Sequence, residues 1–238
     1  MANKLNSHIK AYADSNIYEF DNNIILNWYS KRIIELSNPN DKLLELGLGH
    51  GFTALNFSNY FNHHIILDGS SEIIKKFKSK NKKFKSKIIE TYFEKFETNE
   101  KFDLIIMGFI LEHVDDPVMI MKKYKNLLSQ NGRMFLAIPN AEVMNRKLGE
   151  ISGLLKNITE LSENDFLLGH KRYYTQKTFI KDINLSGLEV VKIEGIYLKP
   201  FTTKQMLSLN LDEEIIHSLC ELGINYPELS SGIIVEVK

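Results

Sequence analysis

LLELGLGHGFTAL, residues 43–55, packs a strand, a turn and the start of a helix into one short stretch. Leu43 to Leu46 is an apolar run, the glycines Gly47, Gly49 and Gly51 follow at alternate positions, and the residues from Phe52 onward suit a helix. Glycines at the carboxyl end of a strand let the backbone turn sharply and let a ligand approach where a Cβ would otherwise stand. The dinucleotide fingerprint G-x-G-x-x-G is not met, because Phe52 occupies the third glycine position and Gly51 comes one residue early, so the spacing disfavours NAD. Glu45, in an otherwise apolar strand, would be costly to bury unpaired, which favours a functional role for it. Asp68 ends the run HHIILD nineteen residues after Gly49, where a carboxylate can accept hydrogen bonds from both hydroxyls of a ribose. An adenosine-bearing ligand is implied.

Outward from this stretch, short apolar runs alternate with amphipathic segments. The runs are 43–46, 64–67, 87–89, 102–107 and 133–138, of a length that suits strands buried on both faces of a parallel sheet. Helices are predicted over about 23–36, 51–60, 71–80 and 117–129, the last with Asp116-Pro117 as its start and Asn131-Gly132 as a left-handed stop. Such alternation means a doubly wound α/β sheet. After Pro139 the rhythm breaks: 140–170 reads as one or two helices of mixed polarity. A helix over 175–186, a strand over 188–197, a helix over 212–222 and a strand over 232–237 follow, the two strands suggesting an antiparallel closing pair. One domain over 1–238 is expected, with an N-terminal helical arm 1–38 and a lid insertion at about 140–174.

The acid after the first strand followed by alternate glycines, the acid ending the second strand, FDLIIMGFILEHVDDP at the fourth and NGRMFLAIPN at the fifth together resemble the class I S-adenosylmethionine-dependent methyltransferases. The match runs motif by motif over about 45–140. The resemblance implies a seven-stranded Rossmann-like sheet with an antiparallel closing strand and S-adenosylmethionine as cofactor. Glu45 and the backbone of Gly47 to Gly51, His50 included, would hold its amino-acid and sulfonium side. Asp68, beside Gly69 and Ser70, would hold the ribose; Tyr92, Phe93 and Glu94 would pack the adenine; Gly108 would complete the set. The second half, IPNAEVMNRKLGEISG with LSENDFLLGHKRYYT and GIYLKPFT, resembles a bacterial subgroup associated with small-molecule or surface-glycan biosynthesis.

Methyl transfer from a sulfonium is an in-line displacement, so what the protein must add is position and a destination for the acceptor's proton. His113, near the end of the fourth strand, and His170 are the candidate bases; His113 can equally be a structural histidine beside the cofactor. Lys171, Arg172 and Tyr173 follow His170, and an arginine fork beside tyrosine hydroxyls suits a phosphate or carboxylate, although the cluster can equally seal the lid. With Asn140 and Arg146 they form the candidate acceptor site, for a small anionic metabolite methylated on oxygen or nitrogen. Tyr12, Tyr18 and Phe20 precede the first helix and are candidates to close over the cofactor.

No metal is expected. Asp115 and Asp116 are read as a helix start, and His63 and His64 alternate across a strand and so face opposite ways. The 238 residues carry 30 basic and 30 acidic side chains, which removes any global field for nucleic acid or an anionic membrane. Eight lysines between Lys75 and Lys87 form a local basic run, read as a solvated face anchored by Phe77 and Phe84. A nucleic-acid substrate is disfavoured further by GFILEH, which stands where base-methylating relatives carry a proline-aromatic signature. Cys220 is alone in an apolar helical pattern and reads as a buried small hydrophobe. Without a secretory pattern at the N-terminus or an apolar run of membrane-spanning length, a cytoplasmic protein is expected.

Overall fold

The computed structural model describes residues 17–238. Its centre is a seven-stranded sheet in the order β3-β2-β1-β4-β5-β7-β6. The strands are β1 (Lys42–Leu46), β2 (His63–Asp68), β3 (Lys87–Glu90), β4 (Phe102–Gly108), β5 (Leu128–Pro139), β6 (Val190–Leu198) and β7 (Ser230–Val237). The first five pair in parallel, and β7 runs antiparallel to both β5 and β6. The order reverses at β1, which lies between β2 and β4, and in open α/β sheets a ligand crevice forms at such a reversal.

Period-two alternation splits the core into two layers. Leu43, Leu104, Ile106, Phe135 and Ala137 face one side, where Trp28, Tyr29 and Ile33 of α1 (Glu19–Glu35) and Phe57 of α2 (Phe52–Tyr60) cover them. Leu44, Leu46, Ile105, Met107, Met134 and Leu136 face the other. There Ile120 and Tyr124 of α4 (Pro117–Lys125) pack with Phe179 and Ile183 of α7 (Gln176–Leu185). Cys220 of α9 (Glu213–Gly223) is buried in the first layer, and burial pushes its thiol up to about 12. In α3 (Ser71–Lys80), Ile74 and Phe77 turn inward while the lysines face solvent, and Phe77 meets Phe84 edge to face at 4.8 Å.

Three boundaries depart from the sequence reading by four residues or more: α1 starts at Glu19 rather than 23, so Phe20 lies inside the helix instead of preceding it, α4 ends early and β5 starts early. The helix after Asp116 stops at Lys125 rather than 129, and Asn131-Gly132 lies inside β5 instead of ending a helix. The cause is a bulge: Phe102 pairs with Leu128 but Leu104 pairs with Arg133, so β5 carries extra residues there. A Cβ at Gly132 would lie 2.8 Å from the Phe102 carbonyl, so this glycine serves a close backbone approach and has no left-handed φ. α8 (Thr203–Ser208), closed by a Thr202–Gln205 capping box, was not foreseen at all.

Between β5 and α7 the chain leaves the sheet and forms α5 (Met144–Ile151) and α6 (Glu163–Leu168). A single bridge, Asn140 to Tyr174, closes this excursion at its base. Among the described residues no helix is long and apolar enough to cross a membrane.

Candidate functional site

A cavity of about 560 Å3 opens at the carboxyl ends of β1, β2 and β4. Its size falls within the ~300–1,000 Å3 of ordinary small-molecule sites. The glycine loop forms one wall, and all three of its glycines take left-handed φ: +89° at Gly47, +49° at Gly49 and +84° at Gly51. Each is needed for a different reason. A Cβ at Gly47 would press to 2.9 Å of Ile110, and one at Gly51 would strike the Phe77 ring at 2.6 Å. A Cβ at Gly49 would meet nothing within 4 Å, so this cradle is kept open on the cavity side.

Asp68 stands beside it, buried at the end of β2. Its Oδ2 accepts from the Leu48 amide at 2.8 Å and its Oδ1 from the Ser70 amide at 2.7 Å. Burial raises the carboxyl above its ordinary value, against the backbone N–H groups of Ser70, Leu48 and Gly49 that pull it down. A carboxylate offers about four acceptor positions, so capacity remains for a sugar hydroxyl. Ser70 caps α3, and with Gly69 and His50 it also lines the cavity.

Glu45 is buried and reaches the cavity, but it is not unpaired. Its Oε2 lies 2.9 Å from His64 Nε2 and its Oε1 accepts from the Thr53 hydroxyl. The desolvation argument for a ligand role therefore loses force: the strand acid has internal partners that the sequence did not reveal. The Tyr29 hydroxyl, pushed well above its ordinary value by burial and then by Glu45, has no hydrogen-bond partner and also borders the cavity. It sits where a Cβ at Gly108 would come within 2.4 Å, so Gly108 makes room for Tyr29 as well as for a ligand. Sequence reasoning missed Tyr29, whose helical spacing looks like that of any core aromatic.

Beyond Gly108 the chain turns sharply. Phe109 adopts φ +55°, which costs a non-glycine residue about 1–2 kcal/mol. The turn carries Ile110, Glu112 and His113 onto the cavity wall, and Leu168 to Lys171 meet them from the other segment. The His113 and His170 rings stand edge to face with centroids 4.7 Å apart. Burial pushes the Glu112 carboxyl up to about 7, against the opposing pull of His170, its own backbone amide and Arg172. Glu112 was missed too. The signal was available, an acid in the apolar run FILEH, the same feature that singled out Glu45.

Several predicted site residues stand elsewhere. Of Tyr92, Phe93 and Glu94, only Phe93 borders the cavity; Tyr92 lies under the Lys95 ammonium at 5.6 Å and Glu94 is exposed. Arg172 serves the framework: Nη1 donates to the carbonyls of Leu111 (2.8 Å) and Val114 (2.6 Å), and Nη2 to that of Asp115 (3.0 Å). Arg146 lies over the Tyr173 ring at 4.6 Å and donates to the carbonyls of Ile158 and Glu160, outside the cavity lining. Tyr173 is not in that lining either, and burial pushes its hydroxyl up to about 12. The fully buried Asn140 donates to the carbonyls of Pro227, Glu228 and Ser230. Of the proposed acceptor set only Lys171 reaches the cavity, already paired with the exposed Asp115. Tyr18 borders the cavity; Tyr12 lies outside the described residues.

The sheet order, the closing antiparallel strands and this crevice define a class I methyltransferase architecture. The methyltransferase-domain family matches residues 24–193, and the chain belongs to that family of S-adenosylmethionine-dependent enzymes. An uncharacterized protein of Methanocaldococcus jannaschii is 26% identical over 185 residues, 77% of this chain and 71% of that one. The ubiquinone biosynthesis O-methyltransferase of Pelagibacter ubique is 33% identical over 103 residues, 42% of this chain and 43% of that protein, so the match spans less than half of that relative. Among solved structures, the N-methyltransferase NodS of Bradyrhizobium japonicum in complex with S-adenosylhomocysteine shares the fold with a TM-score of 0.61 at 14% identity, over 99% of this chain and 97% of that one.

Proposed function

We propose that the protein transfers a methyl group from S-adenosylmethionine to an oxygen or nitrogen of a small acceptor seated between the glycine loop and residues 164–171. When bound, the cofactor supplies a methyl carbon already activated by its sulfonium. The chain then has to hold two reactants in line and receive one proton. Asp68 and the open face of Gly49 receive the ribose side, Phe93 flanks the base, and Glu112, His113 and His170 face the acceptor atom. The observation that carries this reading is that one cavity combines the left-handed glycine cradle and Asp68 with the imidazoles of His113 and His170.

The same cavity shapes the acceptor. Ile25, Leu26, Phe52, Phe109 and Leu168 give it a largely apolar wall, while Arg172 and Arg146 are bound to carbonyl oxygens away from it. A flat, mostly apolar molecule fits better than a multiply charged one, with Lys171 able to meet a single anionic group. α6 and the turn after it, Asn164 to Lys171, act as its cover.

The test is calorimetric titration of the full chain and of Asp68→Ala with S-adenosylhomocysteine, followed by labelled methyl transfer to a panel of phenols, hydroxy acids and sugar phosphates. Micromolar binding lost in Asp68→Ala and methylation of one acceptor class support the reading. A folded protein that binds no S-adenosylhomocysteine overturns it.

A further inference from the structure

Glu112, His113 and His170 converge on one wall of the cavity. One ligand atom from each lies within 4.8 Å of the other two, and His113 Nε2 is 3.9 Å from Glu112 Oε1. Glu112 is 1% exposed, and its Oε2 has no hydrogen-bond partner. Buried at the cavity wall, this oxygen has lost water and gained no hydrogen-bond donor in exchange, which leaves a position a cation can fill.

The side chains are also held ready. Their two segments are stitched together by the Lys171 amide on the Glu112 carbonyl at 2.8 Å and by the Arg172 clamp on Leu111 and Val114. Behind His170, Asp165 Oδ1 stands 3.0 Å from Nδ1, at ion-pair distance though not aligned as a hydrogen bond, and Asp165 is itself fixed by the Ser162 amide and hydroxyl at 2.8 and 2.6 Å. Metal-binding imidazoles commonly carry an outer carboxylate, and a small rotation of the ring would align the Nδ1 proton on Asp165 and leave Nε2 as ligand.

We propose that Glu112, His113 and His170 bind a borderline divalent cation of the Zn2+, Co2+ or Fe2+ kind. Two imidazoles and one carboxylate select such ions over Mg2+ and Ca2+, which prefer all-oxygen shells. Three protein ligands leave a coordination position open to the cavity, the arrangement of metal sites that act on a substrate. Resting on the methyl-transfer reading, this assigns the acceptor as a hydroxyl, favoured when a neighbouring oxygen can chelate. The coordinated hydroxyl gives its proton to water, its oxygen forms the bond to the methyl carbon, and the carbon–sulfur electron pair stays on sulfur. The products are a methyl ether, S-adenosylhomocysteine and one proton.

Cobalt is the probe. Chelator-treated full-length protein is titrated with Co2+, followed by visible d–d absorption and calorimetry, with circular dichroism to verify the fold. Wild type takes up one strongly bound equivalent. His170→Ala and His113→Ala each weaken that binding at least tenfold, and Asp165→Asn weakens it about 10–100-fold as loss of an outer-shell partner does. His63→Ala and His217→Ala, both exposed, bind like wild type. Wild-type uptake no greater than that of His113→Ala, the less buried of the two imidazoles, overturns the proposal even if His170→Ala fails to fold. A parallel S-adenosylhomocysteine titration separates the two readings: cofactor binding without cobalt binding removes the cation alone, and cobalt binding without cofactor binding removes the methyl-transfer reading alone.

Discussion

Adding one methyl group at Gly51 and at Gly49 should separate two roles of the same loop. At Gly51 an alanine takes φ +84° and its Cβ meets the Phe77 ring at 2.6 Å. The left-handed conformation costs about 1–2 kcal/mol and the forced repacking a further ~1–3 kcal/mol. Phe77 has little freedom to retreat, since it is buried against Phe84. Gly51→Ala should therefore lose about 2–5 kcal/mol, lowering Tm by roughly 4–20 °C for a chain of this size. At Gly49 the alanine adopts φ +49° with no atom within 4 Å, so only the conformational cost of about 1–2 kcal/mol applies. Its methyl group, however, stands in the cavity. Calorimetry in urea and titration with S-adenosylhomocysteine measure the two effects separately. Gly49→Ala should keep most of its stability and bind the nucleotide at least tenfold more weakly. If it binds within twofold of wild type, the open face at Gly49 is not where the cofactor lies, and the account of the loop is wrong.

Three further outcomes follow from the contacts. Replacing His64 by leucine strands a buried Glu45 oxygen and should cost about 3 kcal/mol, read as a lower urea midpoint; an unchanged midpoint would mean that Thr53 alone satisfies the acid. Arg172→Ala should raise amide exchange across residues 110–116, because three carbonyls lose their donor, and unaltered exchange there would show that the clamp is not needed. Glu194 is buried, which pushes its carboxyl up, but Arg32 and Lys192 outweigh burial and hold it below the ordinary value. A depressed folded-state pKa stabilises above the unfolded value, near 4.5, and that contribution fades as pH falls through the folded value. Glu194→Gln should thus lose stability at neutral pH and converge on wild type in acid; a gap constant with pH would contradict the pairing.

The parallel half of the sheet could be read because buried strands and capped helices are local signals: Leu43 to Leu46 and Asp116-Pro117 announce themselves within a few residues. The start of β5 could not, because the bulge that sets it depends on which residue of β4 Leu128 meets. The same limit governs the site. A sequence displays donors and hides acceptors, so each arginine is a candidate for an anion. In the fold Arg32 meets Glu194, Arg133 meets Glu236, and Arg146 and Arg172 meet backbone carbonyls. The burial argument for Glu45 failed for the mirror-image reason, since its partner His64 lies on the neighbouring strand, although the acid does line the cavity. The convergence of Glu112 with His170 is equally a product of tertiary contact, made by the Lys171 amide on the Glu112 carbonyl.

The excursion between β5 and α7 meets the sheet through the Asn140–Tyr174 bridge, with Asn140 anchored to the carbonyls that lead into β7. Farther along it is tied down again by the Asn145 amide on the Lys199 carbonyl and by Lys171 and Arg172 on residues 111–115, so the exchangeable part is the stretch between those anchors. Doubling the length of such a connection adds only about 0.6 kcal/mol of closure entropy, so lineages can lengthen, shorten or exchange it while the glycine cradle and Asp68 stay untouched. Grafting 146–169 onto another enzyme of this architecture, with Lys171 and Arg172 left in place, tests whether that stretch carries acceptor preference.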